Sequence, residues 1–334
     1  MIDKEIILKS LDDAILKCGI IKSSPYYRTA LKMSEKYGLK IKRCTKKELR
    51  FVDEGHVNPL NESITSTELR FDEMLDNDGQ ISFDNKSYES EYTLDDILGY
   101  YSSMPEPLKN RVGLIVFEDN FEDNRSTMYS PKYKRDNVIT ITNKAYNSIN
   151  VQYDDEGDEY YDVEDTMHME RILAHEMGHC FEFQKLDDLE KSVARKIING
   201  SENEKDNIIF YENILPKMHT YSNKDGVFGK AVFSEAEKDG KSIEDMILSG
   251  YAKKYFLGNS ENRGSEYNRL AEHFAETVSV LSFKNKPKKY AKFKGDSGSL
   301  ISYFLGLSKD VGYDDVLEMQ PESSKVVLEL LELE

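Results

Sequence analysis

The segment His175-Glu176-Met177-Gly178-His179 constrains this chain more than any other stretch of its 334 residues. It matches H-E-x-x-H, two histidines four apart with a glutamate following the first. Residues four apart share one face of a helix, so both imidazoles can grip one Zn²⁺. The carboxylate beside the first imidazole then points to the metal's open side, where a water can be activated. The competing reading is a buried helix carrying two structural histidines. With only 6 histidines in the chain, an accidental match to this pattern is rare.

The flanks favour a helix. From residue 166 to 183 the wheel is apolar around most of its circumference, with Met167, Met169, Leu173, Ala174, Met177, Cys180 and Phe181. The remaining arc holds Arg171, His175, His179 and Glu182, so the polar strip must face a cleft or a metal. Asp165 or Thr166 can cap the start. Gly178 costs about 1 kcal/mol inside a helix relative to Ala. Its missing side chain would let another element approach beside the metal.

Two histidines do not close a zinc site. A metzincin would place glycine three residues after His179 and histidine six after it; Glu182 and Lys185 stand there, which excludes that class. Downstream, residues 268–277 (NRLAEHFAET) read as the start of a second helix. Leu270, Phe274, Ala275, Val278 and Leu281 form its apolar stripe, with Glu272 and Glu276 together on the other side. A division of labour fits this pair: Glu272 binds zinc and Glu276 accepts a hydrogen bond from a ligand imidazole. Glutamates opposite an apolar stripe also commonly just face water. His273 and His219 are the fallback ligands. His168 lies two turns, about 10 Å, before His175 and is too far to share the metal. His56 has no assigned role.

H-E-M-G-H followed by E-H-F-A-E resembles the gluzincin class of zinc metallopeptidases. It is particularly similar to the family of the anthrax lethal factor catalytic domain, with H-E-F-G-H and later E-F-F-A-E. The resemblance spans residues 92–284, and its specific part is the two motifs. It implies that Glu272 is the third zinc ligand and Glu176 the general base. The family also carries a transition-state-stabilising tyrosine shortly before the second motif. Tyr267 is the nearest candidate, at an offset that is not the family's. The long spacer from His179 to Glu272 implies an inserted, mostly helical subdomain.

The order of elements agrees with an α+β, zincin-like metallopeptidase domain, a small mixed sheet over an active-site helix. Residues 92–110 read as a helix ending near Pro105 and Pro107. Residues 112–117 form a continuous apolar strand, and residues 137–142 alternate as a half-buried or edge strand. An edge strand lining the cleft could add an extended peptide substrate as one more strand. An ordinary α+β core is compatible with the same pattern. The expected organisation is an N-terminal helical accessory region (1–91), the catalytic domain (92–284) and a C-terminal extension (285–334). In the first part, residues 3–17 and 24–37 read as amphipathic helices, followed by a polar, turn-rich stretch to about residue 91. Residues 184–264 read as charged helices covering one wall of the cleft. The basic run 284–294 reads as a linker, and residues 323–334 as a short helix.

A net charge of −17 argues against nucleic acid or an anionic membrane as partner. No apolar run reaches the length of a membrane span. The N-terminus lacks the features of a signal peptide, which points to the cytoplasm, with a virion-associated or non-classically exported protein as the other option. Cys18, Cys44 and Cys180 lack metal-ligand spacing and argue against a disulfide framework. The eight carboxylates of residues 153–165 lack the order of a calcium loop and read as a solvated acidic loop.

Two functions follow as expectations. The first is a zinc-dependent endopeptidase acting on a protein or peptide substrate, with His175, His179 and Glu272 on Zn²⁺ and Glu176 as base. Zinc and a nearby Tyr or His would stabilise the oxyanion. The second is a zincin-fold structural or interaction module of a phage or mobile element, with little or no catalysis. Glu176 weighs against the second, because a purely structural zinc needs no base.

Overall fold

Apolar residues interleaved with charged ones build half of the central sheet. The computed structural model describes residues 25–45, 47–55, 65–72, 82–83, 92–118, 127–129, 137–142, 151–153, 159–161, 169–184, 186–198, 200–248, 252, 270–283 and 313–333. Its strands are β1 (Lys40–Cys44), β2 (Glu48–Glu54), β3 (Ser66–Asp72), β4 (Ser82–Phe83), β5 (Tyr92–Thr93), β6 (Leu114–Glu118), β7 (Thr127–Tyr129), β8 (Val138–Thr142), β9 (Val151–Tyr153) and β10 (Glu159–Tyr161). The helices of the first half and centre are α1 (Pro25–Tyr37), α2 (Leu94–Ser102), α3 (Glu106–Lys109), α4 (Met169–Glu182), α5 (Asp188–Ile198), α6 (Glu204–Ile209) and α7 (Leu215–Met218). They are followed by α8 (Val227–Asp239), α9 (Ile243–Met246), α10 (Ala271–Leu281), α11 (Tyr313–Met319) and α12 (Pro321–Leu330).

The main sheet is mixed, in the order β1-β2-β3-β6-β8-β7. β1, β2 and β3 pair antiparallel, β3-β6 and β6-β8 parallel, and β7 antiparallel to β8. The register aligns two buried rows across it: Ile41-Phe51-Leu69-Ile115-Ile139 and Cys44-Leu49-Phe71-Phe117-Ile141. Phe71 and Phe117 stack at 4.7 Å between centroids. On the opposite face Glu68 pairs with both Lys42 and Arg50, a charged ladder suited to water. The period of two thus separates core from solvent in β2 and β3, whereas Ile115, Val116 and Phe117 of β6 are all buried.

The polar, turn-rich stretch expected before residue 91 is therefore corrected, because it supplies β1, β2 and β3. Charged residues flank most of the buried ones in these strands, which hides the buried partners in any average of hydropathy. Residues on both sides of position 91 share this one sheet. A second correction concerns residues 137–142. Ile139 and Ile141 are buried and alternate with half-buried neighbours, as expected, but β7 covers β8 and is itself the edge among the described strands. The acidic run is also not loop throughout, since β9 and β10 pair antiparallel with Tyr153 opposite Glu159.

Helices cover the apolar face of the sheet. Thr93 caps α2 in a reciprocal box with Asp96, and Leu94, Ile97, Leu98 and Tyr101 turn inward. The Tyr101 hydroxyl donates to Asp53 on β2 at 3.0 Å, while Asp95 accepts from Lys36 and Tyr37 of α1. The helix read over 92–110 breaks at Pro105 into α2 and α3. Residues 183–218 gather a smaller core of Phe183, Leu186, Val193, Ala194, Phe210, Ile214, Leu215 and Met218. The first turn of α12 is held by buried Glu235 of α8, which accepts from the backbone of Glu322 and Ser323 and from the Ser323 hydroxyl. The expected helix at residues 3–17 and the basic run 284–294 lie outside the described residues. Among the described residues no helix is long and apolar enough to cross a membrane.

Candidate metal centre

Two antiparallel helices build the site. Ser279 Oγ of α10 donates to Arg171 O of α4 at 3.0 Å, Ala275 and Val278 lie against Gly178, and Glu272 meets His175 and His179. Sequence numbers rise along one helix as they fall along the other, which fixes the antiparallel alignment. Gly178 is the contact point. A Cβ added there would stand 3.2 Å from Ala275 Cα and 3.3 Å from Val278 Cβ. The close approach brings the first turn of α10 up to the second histidine.

That packing yields one prediction. Gly178→Val should overpack the crossing and cost about 1–3 kcal/mol of stability. It should also weaken zinc binding at least about tenfold by displacing Glu272. Gly178→Ala adds helix propensity of about 1 kcal/mol against a contact only a few tenths of an ångström too tight, so its net effect is small. Urea unfolding of the metal-free protein and zinc titration read the two effects separately.

The three expected ligands converge. His175 Nε2 lies 3.1 Å from His179 Nε2, and Glu272 Oε2 lies 3.1 Å from the first and 3.3 Å from the second. Among the described residues this is the group that could hold a metal ion. The dimensions fit zinc. Tetrahedral bonds of about 2.0–2.2 Å place neighbouring ligand atoms about 3.3–3.6 Å apart, within a few tenths of the triangle seen here. Two ring nitrogens and a carboxylate oxygen crowded at one point cannot all be satisfied by one another's protons, whereas a central cation satisfies all three.

The electrostatics agree. Burial works against a charged His179 imidazole, but Glu272 outweighs it, aided by Glu176 and Glu182, and pushes that ring up to about 9. Burial likewise opposes the Glu272 carboxylate, and the charge of His179 with the two imidazole hydrogen bonds holds it far below the usual range.

Compared with protein-family models, curated proteins and solved structures, the chain matches none. The site is therefore read from its own residues. Glu176 is 7% exposed, and its carboxylate makes no hydrogen bond among the described residues. A nearly buried carboxylate beside the ligand cluster, with no donor among the described residues, suits a role toward water or a substrate group.

Glu272 and Glu276 do not simply face water, because α10 is buried on nearly all sides and Glu276 is among its buried residues. Glu276 lies one turn beyond Glu272 on this buried helix. His273, a fallback ligand, does not join the His175-His179-Glu272 cluster. Its ring lies 5.4 Å from Phe228, Leu248 N donates to its Nδ1 at 3.4 Å, and burial pushes it down to about 3. His219, the other fallback, does not join the cluster either; Glu182 takes its Nδ1 at 3.1 Å. Cys180 points to the back of α4, where its thiol donates to Arg111 O at 3.2 Å. Tyr267, His168, His56 and the caps Asp165 and Thr166 lie outside the described residues.

Proposed function

We propose that this protein is a zinc-dependent endopeptidase of the gluzincin type, with a zincin-like catalytic domain. The observation that carries the reading is the convergence of His175, His179 and Glu272 on one point, with Glu176 one residue from the first ligand. In this reading His175, His179 and Glu272 hold Zn²⁺. When bound, the metal supplies Lewis acidity, lowering the pKa of water and polarising a carbonyl. Glu176 accepts a proton from the water that attacks the peptide carbonyl and passes it to the departing amine nitrogen. The edge strand β7, which packs beside α4, offers its outer backbone groups to an extended peptide. The substrate is then held by main-chain pairing, which suits cleavage within a chain rather than at its end.

Metal removal tests the reading. Treatment with a chelator should abolish cleavage of casein or a broad peptide library, and zinc added back should restore it. Cleavage that survives complete metal removal would overturn the assignment. Stoichiometric zinc binding without any turnover would favour the structural-module alternative instead.

A further inference from the structure

Glu272 is the second residue of α10, and Leu270 at the N-cap supplies no side-chain bond to that turn. The first turn of a helix has N–H groups without intrahelical partners and frays unless a cap or a packed neighbour holds it. Further along, Gly178 and the bond from Ser279 to Arg171 hold α10 against α4. The ligand thus stands at the end of its helix that lacks a cap, where a metal site needs its carboxylate fixed to within about 0.5 Å.

His273 is the next residue, turned about 100° round the helix axis from Glu272. It is completely buried, against Phe228 and the end of α9. α9 is a single turn, and its end leaves backbone groups that need partners. Leu248 N donates to His273 Nδ1 at 3.4 Å, and Met246 O accepts from Gln320 Nε2. A backbone N–H can only donate, so Nδ1 is the acceptor and the neutral ring carries its proton on Nε2. Gln320, at the N-cap of α12, lies beside the same ring. Ser323 Oγ shares its proton between Gln320 Oε1 at 3.4 Å and Glu235 Oε2 of α8 at 2.8 Å. A line of buried polar groups therefore runs from α8 through α12 and the end of α9 to the residue beside Glu272.

Packing alone does not call for a histidine at this position. His273 Nε2 is buried and has no hydrogen-bond partner among the described residues, a cost that an apolar ring would avoid. The ring contributes instead one bond to the end of α9, made from the turn that holds Glu272. We propose that His273 is a positioning residue: by tying the uncapped first turn of α10 to Leu248, it sets the direction in which Glu272 meets the metal. This rests on the zinc-site part of the reading above. It makes Gln320 and α12 part of the support of the metal centre rather than an appendage to it.

Two substitutions in the full chain set polarity against packing. His273→Phe keeps the size of the ring and exchanges one buried unpaired donor, Nε2–H, for another, Leu248 N–H. The unfolding midpoint of the metal-free protein should therefore move little. Zinc affinity should fall about tenfold, kcat should fall about tenfold with little change in KM, and the visible spectrum of the cobalt-substituted protein should shift. In His273→Asn the amide oxygen stands in for Nδ1 and keeps the bond to Leu248, while the missing ring atoms leave a cavity. The Asn variant should unfold more easily than the Phe variant, yet bind zinc more tightly, turn over faster and keep the wild-type cobalt spectrum. A histidine that merely fills space gives the opposite order, with Phe equal to wild type in zinc affinity, spectrum and kcat. That result overturns the proposal and leaves the peptidase reading standing. Should neither variant fold, Gln320→Met carries the test: a loss of about tenfold in zinc affinity supports the proposal, and unchanged zinc affinity and kcat overturn it. A wild-type protein that binds zinc but cleaves no peptide overturns the peptidase reading, while zinc affinity and the cobalt spectrum still decide the role of His273. A protein that binds no metal overturns both.

Discussion

Glu176→Gln is expected to keep its zinc and to lose about 10²–10⁴-fold in peptide cleavage. Gln has the shape of Glu, and Glu176 makes no hydrogen bond among the described residues that the amide would break, so the fold and the His175-His179-Glu272 triangle should survive. What disappears is the proton acceptor, because an amide is not a base at neutral pH. Glu176→Asp refines the test: it keeps the carboxylate but withdraws it by one methylene, and a misplacement of about 1 Å in a reacting group can cost about 10²-fold. Zinc content, measured beside kcat, separates loss of chemistry from loss of metal. Full activity in Glu176→Gln would remove the general base from the scheme.

Legibility in the sequence followed the distance over which each feature is encoded. The face shared by His175 and His179 is written into a spacing of four, and so is the use of Gly178 as a close-contact point. Glu272 meets His179 across 93 positions, and no periodicity reports such a contact. It became visible through an i, i+4 pair of glutamates on an apolar helix and through the resemblance. Glu182 stood out on the polar arc of α4, but its partner His219 is 37 positions away and reaches it through turns that depend on Gly226 and Gly229. The first three strands were hidden for another reason. Arg50, Glu68 and Arg70 alternate with Leu49, Phe51, Leu69 and Phe71, so the stretch reads as charged unless its period is followed residue by residue. The apolar strand β6, flanked on both sides, needed no such care.

Glu272→Ala should lose nearly all zinc retention, whereas Glu276→Gln should stay within about tenfold of wild type. The two glutamates are neighbours on α10, yet their surroundings differ. Glu272 sits in the first turn of that helix, where the positive end of the dipole favours a carboxylate, and its Oε2 lies within 3.3 Å of both ring nitrogens. Removing it takes away one of the three protein ligands and the one negative charge among them. Structural zinc sites bind with about 10–16 kcal/mol, so one ligand in four carries about 3 kcal/mol, or two orders of magnitude, before the remaining geometry loosens. Glu276 is buried one turn on. Gln keeps its shape and an acceptor oxygen, so its replacement should cost far less metal affinity than the loss of a ligand. Competition titration against a zinc chelator measures both variants on one scale. Zinc lost from Glu276→Gln but retained by Glu272→Ala would exchange the two roles. Retention by both would place the third ligand on a residue other than these two glutamates.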